Sequence, residues 1–241
     1  MTTTTATTPA TTTDRTGALD TWARRWVWAL PVWGGLMGAS TITHQPSARS
    51  DFAAYSDYVT TPQFLVSHFG ASLLGAALGI VGAVALAILV INRGGGRTVL
   101  TGVGAFVLGQ TLATSIVGVA AFFQPAIGDA FKSGETVVAP VIEAAVYSRN
   151  IFITFGIGIL ALMAGAIMMA RGARTAVGVH PWATRTFAAA MVAFPVTGQT
   201  IQILQPLAGL ALAVSAAAIA MSLVRPAPTL GESLDPATAS S

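Results

Sequence analysis

The chain contains no cysteine. That excludes disulfide frameworks, thiolate metal sites, iron–sulfur ligation and cysteine nucleophiles. Charge is scarce as well: Asp, Glu, Lys and Arg make up 9% of the 241 residues, where a soluble domain carries about 25%. So few charges do not solvate a globular surface, and a lipid solvent removes the difficulty. Lys132 is the single lysine, every other cation being arginine. With the excess of Ala and Gly, this composition points to a GC-rich bacterial genome.

Charge is also missing from the middle of every long apolar run. Pumps, proton relays and ion-coupled transporters place ionisable groups there, so those classes are disfavoured. No G-x-S-x-G, H-E-x-x-H, Walker or dinucleotide-binding pattern occurs. Gly94-Gly95-Gly96 is no phosphate cradle, because no strand precedes it and no Lys-Ser/Thr follows. An enzyme is therefore the less favoured reading.

What the chain has instead is apolar surface: 54% hydrophobic residues and a mean hydropathy of +0.71. A membrane span needs about 20 mostly apolar residues. Runs of that kind predict an all-α integral membrane protein, with helices at about 24–44, 63–91, 98–123, 150–170, 183–201 and 205–224 inside a domain covering 21–225. The last two are separated by little more than Gln202–Pro206, so they form either two full spans or a broken, re-entrant pair. The Thr-rich stretch 1–20 and the stretch 226–241 have too little apolar surface to offset ordering entropy and are expected to be disordered tails.

Arginine placement orients the scheme. Arg24, Arg25, Arg93, Arg97, Arg171, Arg174, Arg185 and Arg225 fall on one side, and Arg49, Lys132 and Arg149 on the other. The positive-inside rule then places both termini in the cytoplasm of a multi-pass cell (inner) membrane protein. Trp22, Trp26, Trp28 and Trp182 lie at the cytoplasmic helix ends, as interfacial anchors do. A net charge of +3 would raise nucleic acid as a partner for a soluble protein; orientation explains the arginines here, and no nucleic acid is expected. Arg24-Arg25 also has the look of a twin-arginine signal. The apolar run after it, Trp26 to Ile42, exceeds the core of about 7–15 residues that a signal carries, so a retained helix is expected.

Two connectors on the outer side carry helical periodicity. Phe52, Tyr55 and Val59 share one face of 50–60, and Val137, Val138, Val141, Ile142, Ala145 and Val146 recur within 135–148. Both read as short amphipathic helices on the membrane surface or as loops packed onto the bundle.

The candidate site is a polar cluster toward the outer leaflet: His44, His68, Gln110, Gln124, Asn150 and Gln199. Gln110 is the strongest single candidate, because an amide at its depth is costly without a partner. Gly109-Gln110-Thr111 recurs as Gly198-Gln199-Thr200, a hint of internal repetition. Small residues at Gly34 and Gly38, at Ala71, Gly75 and Gly79, and at Gly104, Gly109 and Gly118 mark faces for close helix packing, internal or between copies. Pro31 and Pro195 are expected to kink their helices.

The expected function is non-enzymatic: an accessory subunit, or a binding or transport protein for a small neutral or lipid-like molecule. Its surroundings are the bilayer and either a membrane-protein partner or a second copy. The alternative is a membrane redox subunit, with haem or a metal held by His44 and His68; no cofactor is favoured otherwise.

Overall fold

The computed structural model describes residues 12–43 and 45–225. It is helical throughout, with no strand among the described residues. The elements are α1 (Thr12–Trp26), α2 (Ala29–Ser40), α3 (Phe52–Val59), α4 (Pro62–Leu65), a π segment (Val66–Leu74), α5 (Gly75–Asn92), α6 (Thr98–Lys132), α7 (Val138–Val146), α8 (Arg149–Ala173), α9 (Pro181–Thr200) and α10 (Gln205–Val224). α4, the π segment and α5 run on as one rod, Pro62–Asn92. Four stretches are long and apolar enough to cross a membrane: Pro62–Asn92, Thr98–Lys132, Val138–Ala173 and Gln202–Val224.

Neighbouring helices form a closed ring. α2 packs on α5, α5 on α6, α6 on α8, α8 on α9, α9 on α10, and α10 back on α2. Chain direction reverses at each step. Arg93, Arg97, Arg171, Arg174 and Arg225 lie at one end of the ring, in or beside the α5–α6 and α8–α9 connectors and after α10. Arg24 donates to the Val224 carbonyl at 2.7 Å, and Arg93 donates to the carbonyls of Ser222, at 3.0 Å, and Arg225. Cations at the final turn of α10 satisfy carbonyls that have no intrahelical donor and meet the negative end of the helix dipole.

The tightest seam joins α6 to α8, and glycine makes it. Gly102 and Gly109 on α6 oppose Gly158, Gly165 and Gly172 on α8, each set spaced by seven residues. A Cβ on Gly165 would lie 2.5 Å from the Phe106 nitrogen and 2.8 Å from the Gly102 oxygen. Seven-residue spacing keeps small residues on one seam of two helices crossing at a shallow angle, so the backbones meet directly. Gly34 and Gly38 do the same against α10, facing Ala213 and Gly209. Gly104 has nothing within 4 Å and Gly118 only Leu73, so those two do not belong to a packed face.

Several boundaries differ from the sequence expectation, each for a physical reason. A helix occupies 12–20, part of the stretch expected as a tail; Asp20 pairs with Arg24 one turn on and Asn92 donates to Asp20 at 3.2 Å, which ties α1 to the end of α5. Residues 1–11 and 226–241 lie outside the described residues. The span expected at 24–44 is broken at Val27–Trp28. Pro31 has no N–H for the Val27 carbonyl, and its ring crowds that oxygen, so the helix restarts at Ala29. α6 runs to Lys132, past the expected end at 123 and through Pro125. At about 1.5 Å per residue it is about 52 Å long.

That extension carries a small second core. Tyr55 and Val59 from α3, Phe64 from α4, Ile142 from α7 and Ala48 are buried together, with Ile127 of α6 packed against them. α3 approaches so closely that a Cβ on Gly128 would lie 2.8 Å from Val59. Arg49 donates to Glu143 at 2.8 Å and lies over the Tyr147 ring at 4.4 Å, fastening the connector before α3 to α7. α3 therefore packs onto the bundle. α7 buries Ile142 and leaves Val137 and Val141 exposed.

Candidate functional site

A part-open cavity of about 160 Å³ lies among the helices of the ring. α2 contributes Trp33 and Met37, and the π segment contributes Ser72. α6 supplies Gln110, Thr114 and Val117, and α8 supplies Phe155, Ile159 and Leu162. α9 adds Met191, Phe194, Pro195 and Gln199, and α10 adds Gln205. Every helix of the ring except α5 thus lines this space, the π segment contributing for that rod, and none of the lining residues is ionisable.

Two backbone irregularities border it. Pro195 removes the N–H that would bond to the Met191 carbonyl, and both residues line the cavity. Opposite, the π segment widens the α4–α5 rod by one residue per turn; such stretches recur at functional sites. The Ser72 hydroxyl donates to the Ser67 carbonyl at 3.2 Å, five residues back along the widened turn.

Two polar atoms in the wall have no partner. Trp33 is fully buried, its indole lying against Gly79 and edge-on to Phe106 at 5.2 Å between centroids. Its Nε1–H, although buried, donates to nothing. Gln110 is 5% exposed. Its Nε2 donates to Thr114 at 3.4 Å, and its Oε1 accepts from nothing. A buried polar group without a partner costs about 1–3 kcal/mol. Two residues of the lining thus each hold a buried polar atom that no protein group partners, alongside the polar side chains of Ser72, Thr114, Gln199 and Gln205.

The cluster named from sequence is dispersed by the fold. Gln110 and Gln199 reach the central cavity, which also joins the two copies of the Gly-Gln-Thr triplet. Gln124 does not; it is buried lower on α6 and accepts from Gln45 at 3.1 Å, tethering the connector after α2. It borders a separate apolar space of about 100 Å³ beneath α7. Asn150 is exposed at the start of α8.

His68, in the π segment, stacks on Phe64 at 3.9 Å. Its Nδ1 lies 3.0 Å from the Phe64 carbonyl and 3.1 Å from the Ser67 hydroxyl. His44 lies outside the described residues. The described residues bring no second imidazole to His68, and hold no group of three or more His, Cys, Asp or Glu suited to a metal ion. His180 sits at the other end and caps α9, accepting from the Trp182 N–H at 3.4 Å.

Trp33 is the site residue that sequence reasoning passed over. A signal existed: the other four tryptophans flank helix ends, whereas Trp33 lies inside an apolar run. An indole N–H there needs a partner.

Comparison with known proteins gave no family model, no curated protein and no solved structure that matches this chain.

Proposed function

We propose that the chain is a six-span protein of the bacterial cell membrane, with both termini cytoplasmic, that binds or transports a small neutral molecule through the cavity at the centre of its helix ring. Four long apolar helices support insertion. The six-span count is supported by the closed ring, in which α2 and α9 each run antiparallel beside helices that meet the length requirement. α9 has 20 residues, about 30 Å of helix, which matches the hydrocarbon core. The gathering of Arg24, Arg93, Arg97, Arg171, Arg174 and Arg225 at one end supports the orientation. Gln199 and Gln205 then mark the outer end of the cavity.

The observation that carries the reading is one uncharged cavity lined by both Trp33 and Gln110, each of which has a buried polar atom, Nε1 and Oε1, that no protein group partners. Interhelical adhesion would have paired them. A ligand site keeps them free, with a few polar groups in an apolar pocket setting orientation.

The test is a thermal-shift panel of small neutral solutes on the full chain in nanodiscs. Ala113 lines the cavity, and Ala113→Phe fills it. At least one solute should raise the unfolding temperature of the wild type and not of Ala113→Phe. A panel in which no solute distinguishes the two proteins overturns the proposal.

A further inference from the structure

We infer that α7 is a lipid-binding interfacial helix, whose outward face rests at the boundary between headgroups and acyl chains of the outer leaflet. The inference rests on the membrane insertion proposed above and is independent of the central cavity.

The residues of α7 set up the argument. From Val137 to Val146 the only polar side chain is Glu143. It is held to the connector before α3, accepting from Arg49 at 2.8 Å. Ile142 is buried on the inner side. The outer side presents Val137 and Val141, 70% and 55% exposed, with Pro140, Ala144 and Ala145 exposed beside them. A helix on a watery surface turns charge outward and apolar residues inward; one that is apolar all round belongs in apolar surroundings.

Helix length places this face in depth. Arg149 and Arg171 lie about 33 Å apart along α8, at about 1.5 Å per residue. The hydrocarbon core is about 30 Å thick, so with Arg171 at one edge Arg149 stands at the other. Only Tyr147 and Ser148 separate α7 from Arg149, which brings α7 to that edge. On α6, Val119 lies about as far from Arg97, again about 33 Å. Val119 and Phe123, exposed on α6, share the apolar space beneath α7 with Ala145, Val146 and Ile151. The outward face of α7 thus continues the lipid-facing wall of α6. A protein partner fits less well: binding hot spots are rich in Trp, Tyr and Arg and poor in Val, and this face offers only Val, Pro and Ala. Lipid needs no such anchors, because interfacial binding scales with buried apolar area.

The experiment is power-saturation EPR on the full chain in phosphatidylcholine vesicles, with a nitroxide on single cysteines, the chain having none of its own. Oxygen concentrates in hydrocarbon, and a neutral nickel chelate stays in water. Leu160, exposed about 17 Å along α8 from Arg149, reports the bilayer interior. Ser133, exposed after α6, reports the water side. Val141→Cys and Val137→Cys should be relaxed more by oxygen than by the chelate, as Leu160→Cys is but less strongly, and Ser133→Cys should show the reverse. The inference is overturned if Val141→Cys and Val137→Cys behave as Ser133→Cys does, which puts the face in water. It is also overturned if both are shielded from both reagents, which puts protein against it. In either case an oxygen preference at Leu160→Cys leaves the membrane reading standing. If Leu160→Cys favours the chelate as well, membrane insertion and this inference fall together.

Discussion

A methyl group added at Gly165 tests the packing that holds the ring closed. Its Cβ would lie 2.5 Å from the Phe106 nitrogen and 2.8 Å from the Gly102 oxygen, both backbone atoms of α6. Unstrained carbon contacts begin at about 3.5 Å, so the two helices must separate by roughly 1 Å. Neither neighbour is a flexible side-chain end that can turn aside. Overpacking of this kind costs about 1–3 kcal/mol. Alanine recovers part of it, about 0.5–1 kcal/mol, through its better helix propensity. The net loss is about 1–2 kcal/mol, and for a chain of this size each kcal/mol lowers Tm by about 2–4 °C. Gly165→Ala should therefore unfold about 2–8 °C below the wild type in nanodiscs. Gly104→Ala is the control: on the same helix pair, it meets nothing within 4 Å and should not lower Tm. Gly102→Ala strains the same contact from the other side, so the double variant should lose less than the sum of the two. A Gly165→Ala protein as stable as the wild type, or a Gly104→Ala protein equally destabilised, would refute the seam.

Three further outcomes follow from the ends of the bundle. Tyr55 is 1% exposed, and its burial, together with the charge of Tyr147, pushes the phenol well above its ordinary value. A raised folded-state pKa contributes stability that is complete at neutral pH and fades as pH rises past about 10. Tyr55→Phe also removes a buried hydroxyl without a partner, so it should unfold less readily than the wild type in denaturation curves taken from about pH 9 to 11. Asp20 shifts the other way: its hydrogen bond from Arg24, assisted by Asn92 and opposed by partial burial, holds its carboxyl below the ordinary range. That stabilisation is present at neutral pH and lost as pH falls below about 4. The pair is about a third exposed, so Arg24→Ala should raise the Asp20 titration midpoint in NMR while costing under about 1 kcal/mol. Arg49→Ala removes both the Glu143 bond and the stacking on Tyr147. Hydrogen exchange should quicken across α7 and remain unchanged in the α6–α8 seam.

The helical class was legible because apolar runs of span length leave few alternatives, and because arginines clustered at alternate connectors. The break at Val27 was less so. Pro31 announces a kink, but which residue ends the first helix depends on the carbonyl one turn back and on Arg24 reaching Val224, a contact 200 residues apart. The extension of α6 past Pro125 was hidden for a similar reason. Helix 124–132 is held by α3, α7 and Lys132 donating to Thr60 at 2.9 Å, all distant in sequence or beyond the apolar run. In the candidate site, polarity at depth singled out Gln110, a local property. Gln124 and Asn150 share its side of the chain but not its cavity, because helix rotation, which sets where a side chain faces, comes from packing partners. The seven-residue glycine spacing at 102 and 109 and at 158, 165 and 172 was present in the sequence. Of the glycines that mark α6 in the sequence, Gly104, Gly109 and Gly118, only Gly109 meets α8.

The central claim is that six helices span the membrane around one cavity, and the position of Ile203 tests it most directly. The chain has no native cysteine, so single cysteines report one site each. Ile203 is 77% exposed in the α9–α10 turn, and Val177 is 57% exposed before α9. If α9 spans, Ile203→Cys lies on the same side as Ser133→Cys and opposite Val177→Cys. If only the four longest apolar stretches span, Ile203→Cys lies with Val177→Cys. Labelling of intact cells with a membrane-impermeant maleimide should modify Ile203→Cys and Ser133→Cys and spare Val177→Cys until the cells are lysed. Protection of Ile203→Cys together with Val177→Cys would contradict the account.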